Sequence, residues 1–376
     1  MMLSFDPYIW IYKSKAREMR MAAIARGAEG CLGRRFRCVL RFRHMILHQE
    51  KDVPQHPPAM GRRAILAGLA AAPAALATAA AETSPRKPKR PSSWAPFRLE
   101  PAQSSWTAEP EQVPATERMI DVGDGVRLWT WDTGGTGPAV VLMHAYTGSG
   151  ATWAYQQPVF ARAGYRVVGY SRRGHFRSDR GPEDRPGRVI DDLDAIVTQL
   201  GISRFHLVGT AAGGFNVTDY ALSHPGKLIS LTVASSLGGV DEPDFVATTD
   251  AILPPGWRQL PSAFRELGPS YRAANPEGVQ RWVELEEHAM TGPRLLQGKA
   301  NRITWDALRT VRTPAMMLTG DADLYFPPAR LRAVAAHLPG CRTALIAEAG
   351  HAAFWEQPEA FNRLILDHLA LSARAG

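Results

Sequence analysis

Phe205-His206-Leu207-Val208-Gly209-Thr210-Ala211-Ala212-Gly213-Gly214 is the stretch from which the fold can be read. Its first four residues form a short, mostly apolar run with the character of a buried strand. Small residues follow, and they permit a sharp turn into a helix. A glycine-rich turn after a strand also suits a phosphate, but this one lacks the lysine of a phosphate loop. No metal, nucleotide or flavin signature stands elsewhere, so no cofactor is expected. At the middle of the turn sits Ala211, whose side chain cannot form a covalent intermediate.

Working outward, strand-like and helix-like segments alternate from about residue 115, the pattern of a mostly parallel sheet covered by helices. Arg118 to Val122 and Val126 to Asp132, split by Gly123-Asp124-Gly125, read as an antiparallel hairpin. Ala139 to Met143 and Tyr165 to Tyr170 read as buried strands, as do Ile229 to Val233, Ala315 to Leu318 and Thr343 to Ile346. Val189, Leu193, Ile196, Val197 and Leu200 recur at helical spacing, and an amphipathic helix closes the chain from about Pro358 to Leu371. Between Gly238 and Arg309 there are helical segments and aromatics (Trp257, Phe264, Tyr271, Trp282) but no convincing strand. This predicts a helical cap over the C-terminal ends of the strands, the edge where open α/β sheets bind ligands. The core is expected over 115–237 and 310–372, with the cap over 238–309.

Three further patterns accompany the turn. Val140-Val141-Leu142-Met143-His144-Ala145-Tyr146 is a strand ending in a His-small-X turn. Gly169-Tyr170-Ser171-Arg172-Arg173-Gly174-His175 ends the next strand. Leu318-Thr319-Gly320-Asp321-Ala322-Asp323 and, after another strand, Glu348-Ala349-Gly350-His351 supply an acid and a histidine. In this order the patterns resemble the α/β-hydrolase family, over roughly residues 115–372. The resemblance implies that Gly209 to Gly213 is the nucleophile elbow, with Ala211 at the nucleophile position. It also implies that the backbone N–H groups of Tyr146 and Ala212 form the oxyanion hole, and that Asp323 orients His351 as general base. Departures are Ala145 for the family's glycine, Ser171 for an aspartate and Phe176 for a glycine. Asp321 is read as a loop residue, and the loop from Ser171 to His175 as shaping the sheet edge.

Covalent acyl-enzyme chemistry at Ala211 is excluded, and three readings stay open. His351, oriented by Asp323, activates a water or removes a substrate proton, as a hydrolase of a small apolar ester, lactone or ketone or as a cofactor-free proton-transfer enzyme or lyase. Alternatively the nucleophile lies elsewhere, at Ser171, at Ser149 or, least favoured, at Thr210. Finally, the chain is a non-catalytic small-molecule-binding protein derived from a hydrolase.

The net charge of +8 belongs to the front of the chain. Residues 1–81 hold 13 Lys and Arg against 5 Asp and Glu, and the remainder holds 31 of each sign. Nucleic acid is therefore not an expected partner of the folded part; a small molecule is. Arg62-Arg63 before the alanine-rich run Ala64 to Ala81 resembles a twin-arginine export signal, with small-residue cleavage patterns at Ala77 to Ala81. Export to the periplasm or beyond is expected, with residues 60–81 removed, a start at Met60 that leaves 1–59 outside the fold, and no stable membrane span afterwards. Residues 82–114 read as a linker, of which Arg86 to Pro96 is a flexible tether. Cys341 would be the single thiol left, so no intramolecular disulfide is expected.

Overall fold

The computed structural model describes residues 97–103 and 106–374. The leader, the export signal, the start at Met60 and the tether all lie outside these residues.

Nine strands form one sheet: β1 (Arg98–Glu100), β2 (Thr116–Asp121), β3 (Arg127–Asp132), β4 (Ala139–Met143), β5 (Arg166–Tyr170), β6 (Phe205–Thr210), β7 (Leu228–Ala234), β8 (Ala315–Gly320) and β9 (Arg342–Ile346). Their spatial order is β1-β9-β8-β7-β6-β4-β5-β3-β2. Only β3 runs against its neighbours, in the β2–β3 hairpin and against β5. The remaining pairings are parallel. Continuous apolar runs are what a parallel sheet covered on both faces requires, and β4, β6 and β8 are buried along their whole length.

The two faces serve two cores because successive side chains of a strand point to opposite sides. Val141 and Met143 of β4 pack with helices α2 (Val189–Gln199) and α3 (Ala212–Ser223) through Leu193, Ile196, Val217 and Tyr220. Val140 and Leu142 face the other way, onto Phe160 of α1 (Gln157–Arg162) and Phe361, Leu364 and Ile365 of the C-terminal helix.

The segment expected as a linker over 82–114 needs correction. Its residues 98–100 form β1, which pairs in parallel with Ala344 to Ile346 of β9. Three residues carry too little hydrophobic period to announce a strand, and the open edge of β9 supplies the hydrogen bonds that make one.

Between β7 and β8 the chain leaves the sheet for five helices: α4 (Pro243–Ala251), α5 (Ser262–Glu266), α6 (Pro269–Ala274), α7 (Pro276–Glu287) and α8 (Trp305–Arg309). Trp257, Tyr271 and Trp282 are buried in this layer, whereas Phe264 is 40% exposed. After β8 come α9 (Pro328–Ala335), α10 (Ala353–Glu356) and α11 (Pro358–Ala373). Among the described residues no helix is long and apolar enough to cross a membrane.

Candidate active site

The turn after β6 is a strained elbow. Ala211 has φ 50° and ψ −117°, a backbone region that a residue with a Cβ enters only when its surroundings force it. Two glycines let the turn close. A Cβ on Gly209 would lie 2.7 Å from the Gly213 carbonyl oxygen, and one on Gly213 would strike the carbonyl oxygen of Met143. The Ala211 N–H donates to the Ala234 carbonyl at 3.0 Å, and its own carbonyl accepts from Gly214 N–H at 3.0 Å. Ala212 opens α3, so its N–H falls outside the helical ladder and under the positive end of the helix.

The turn after β4 is held by His144, which is completely buried. Its Nε2 accepts the Arg172 backbone N–H at 3.0 Å. The ring proton must then sit on Nδ1, from which it is donated to the Ala145 carbonyl at 2.7 Å. Burial, with the Arg172 charge beside it, pushes the His144 imidazole well below its usual range and keeps it neutral. Arg172 adds a second donor to the Ala145 carbonyl through Nη2, at 3.2 Å. Tyr146 is thus set at the head of a fixed turn. Its carbonyl meets His175 Nε2 at 3.3 Å, and Arg294 lies over its ring at 4.3 Å.

Asp323 and His351 come together from loops after β8 and β9. Nδ1 of His351 lies 2.9 Å from Oδ2 and 3.0 Å from Oδ1 of Asp323. The carboxylate also accepts Thr319 Oγ1 at 2.7 Å and the N–H groups of Tyr325 and Phe326 at 2.9 Å. Burial alone would raise the Asp323 pKa; the His351 charge and these donors outweigh it and hold the carboxyl below its usual range. For His351 burial works downward, but Asp323, Glu266 and Glu356 together bring the imidazole up to about 9. These carboxylates thus favour the protonated imidazolium.

Ala211, Thr210 and His351 line one cleft with Ala145, Gly148, Thr152, Trp282 and Leu285. Its free volume is about 10 Å³, the room that one water needs. Thr210 thus shares the cleft wall with Ala211. The other candidate nucleophiles are placed elsewhere. Ser171 is fully buried, and its Oγ accepts the Gly150 N–H at 3.1 Å. Ser149 caps a short 3₁₀ turn, accepting the Ala151 N–H at 3.2 Å. It borders a second cavity of about 360 Å³ with Ala151, Phe176, Arg281, Glu284, Leu285 and His288. Leu285 belongs to both cavity walls. The loop from Ser171 to His175 is anchored by a buried ion pair of Arg173 with Asp192 at 2.7 Å.

Two ionisable residues in the cleft wall, Glu266 and Glu286, carried no sequence signal. Glu266, at the end of cap helix α5, places Oε2 at 3.9 Å from Nε2 of His351. Its carbonyl accepts the N–H groups of His351 and Ala352 at 2.8 and 3.0 Å. Neighbouring Gly268 donates to Glu356 Oε2 at 2.7 Å, and that carboxylate also takes the Gly350 N–H. Burial raises the Glu266 carboxyl above its ordinary range. Among the described residues, no group of three His, Cys, Asp or Glu side chains gathers where it could hold a metal.

A parallel sheet with one reversed strand, a strained elbow after β6, an acid after β8, a histidine after β9 and helices inserted before β8 define the α/β-hydrolase fold, and this chain is an α/β-hydrolase-fold protein. A family model described as alpha/beta hydrolase fold matches residues 138–267. A 2-hydroxy-6-oxononadienedioate/2-hydroxy-6-oxononatrienedioate hydrolase of Burkholderia vietnamiensis is 28% identical over 286 residues, covering 68% of this chain and 96% of that one. Among solved structures, a thermophilic esterase from Thermogutta terrifontis superposes with TM-score 0.57 at 23% identity, over 69% of this chain and 99% of its own. The enol-lactonase of Burkholderia xenovorans gives TM-score 0.53 at 20% identity, over 67% and 99%. At such identities the structural likeness establishes the fold.

Proposed function

We propose that this chain is a hydrolase of a small ester, lactone or ketone that uses water directly and passes through no covalent enzyme intermediate. The reading rests on one arrangement: the Asp323–His351 pair turns Nε2 into a water-sized cleft floored by Ala211. The backbone N–H of Ala212, joined by that of Tyr146, would stabilise the negative charge of a tetrahedral adduct or an enolate. A methyl group at 211 leaves open the space a nucleophilic hydroxyl would fill, and a water held there lies beside the imidazole. The relatives named for hydrolysis of dienedioates, esters and enol-lactones support carbonyl chemistry of this class.

Turnover of a panel of esters, lactones and 1,3-diketones by the purified chain, beside His351→Ala, tests this. Turnover that is lost in the variant is the expected result. Because Ala211 stands at the nucleophile position, a second reading is a non-catalytic receptor. Ligand binding without turnover in either protein would establish it. Cleavage or isomerisation of a diketone without net hydrolysis would assign lyase or proton-transfer chemistry to the same pair.

We place this activity outside the cytoplasm on the strength of the Arg62-Arg63 signal. A mature N-terminus near residue 82, found by sequencing the exported protein, is the expected result.

A further inference from the structure

Glu266 has the properties of a working group. It is 7% exposed, and among the described residues no donor hydrogen-bonds to its carboxylate. The one basic atom within 4 Å of it there is Nε2 of His351. Its carboxylate oxygens are not sealed away from solvent, and they open onto the cleft rather than into the core. Its main chain is stapled to the histidine loop by two hydrogen bonds, which fix the backbone from which the carboxylate enters the cleft. Glu286, also in the cleft wall, is already engaged by the Ser262 hydroxyl at 2.9 Å. Glu266 and His351 therefore meet in the wall of the same water-sized space that Ala211 lines.

We propose that Glu266 is a catalytic residue, the base that takes a proton from the attacking water, while His351 is the acid. This rests on the hydrolytic reading above and divides its labour. For an ester, the water oxygen bonds to the carbonyl carbon as one of its protons passes to the Glu266 carboxylate. The bond from that carbon to the alcohol oxygen then breaks, and Nε2–H of His351 protonates the departing oxygen. The other water proton stays on the product acid. Transfer of the proton from Glu266 to Nε2 restores both groups, and no oxidant or further reactant is needed. The groups that face His351 favour this direction. Asp323 holds Nδ1, the Tyr325 ring packs at 4.6 Å, and Glu356 of α10 and Glu266 of α5 add negative charge; Arg265 opposes them beside Glu266.

Glu266→Gln in the full chain is the test, with a substrate whose turnover requires His351. The expected result is a kcat lower by about 10²–10³-fold with KM changed only a few-fold. The acidic limb of the pH–kcat profile should disappear, and a basic limb should remain, displaced below pH 9 because the Glu266 charge no longer supports the His351 imidazolium. Glu266→Asp, which keeps the carboxylate, should retain the acidic limb at reduced kcat; its loss there would overturn the proposal even if the glutamine variant fails to fold. Wild-type kcat and an unchanged acidic limb in folded Glu266→Gln would overturn the role of Glu266 and leave the hydrolase standing. Activity that rises through pH 9 would make His351 the base and equally overturn it. Absence of turnover in the wild-type chain across the panel would overturn the hydrolytic reading, and this assignment with it.

Discussion

His351 and Glu266 are joined twice: the His351 backbone N–H donates to the Glu266 carbonyl at 2.8 Å, and Nε2 lies 3.9 Å from Oε2. Cap and histidine loop thus share one anchoring point. The imidazole is flanked by acids on both ring nitrogens, Asp323 on one side and Glu266 on the other. That sandwich, with the methyl group of Ala211 beneath it, separates this site from one built around a serine.

Restoring a hydroxyl at the elbow should create a trappable nucleophile. Ala211→Ser is expected to be labelled at residue 211 by a fluorophosphonate, faster toward pH 9 as His351 loses its proton. The wild-type chain should stay unlabelled. A label on Ser149, Ser171 or Thr210 of the wild type would show that the nucleophile has moved there.

The elbow strain predicts a stabilising substitution. Ala211→Gly removes the Cβ from a backbone with φ 50°, at the expense of greater freedom in the unfolded chain. A net gain of about 1 kcal/mol is expected. An unchanged or lower midpoint in urea would mean that the turn is not strained.

The His351 environment also links folding to pH. Its folded pKa, about 9, lies above the unfolded 6.5, so the stabilisation is complete below pH 6.5 and is lost as pH rises to about 9. Glu356, raised by burial from 4.5 to about 8 against the pull of its N–H donors, loses stability in the same direction. The unfolding free energy should therefore fall across pH 6.5–9, by up to about 3 kcal/mol from His351. His351→Gln should flatten this slope; an identical slope in both proteins would remove His351 as its source.

Leu285 stands in the walls of both cavities, one of about 10 Å³ and one of about 360 Å³. Leu285→Ala is expected to join them. For substrates longer by two or three methylenes, kcat/KM should rise by about tenfold, with little change for the smallest. A uniform loss across chain lengths would assign Leu285 to packing alone.

How much of this was legible beforehand follows from the range of the interactions. The strands β4, β6 and β8 announced themselves because burial on both faces demands unbroken apolar runs. The hairpin β2–β3 did so through its glycine turn. By contrast, β1 has three residues and depends on the edge of β9 for its hydrogen bonds, so no local pattern betrayed it.

The order of the elbow, Asp323 and His351 along the chain determined the fold and named the acid–histidine pair. The absence of a serine at Ala211 is likewise a fact of sequence, and it alone rules out an acyl-enzyme at that position. Only the tertiary structure placed Thr210 in the cleft wall, tied Ser171 and Ser149 into backbone hydrogen bonds, and carried Glu266 to His351 across 85 positions of sequence. It also brought to the imidazole the carboxylates that push its pKa up, which no local pattern could show. Periodicity records local backbone geometry; proximity between a cap and a sheet edge is a property of packing, and no spacing along the chain encodes it.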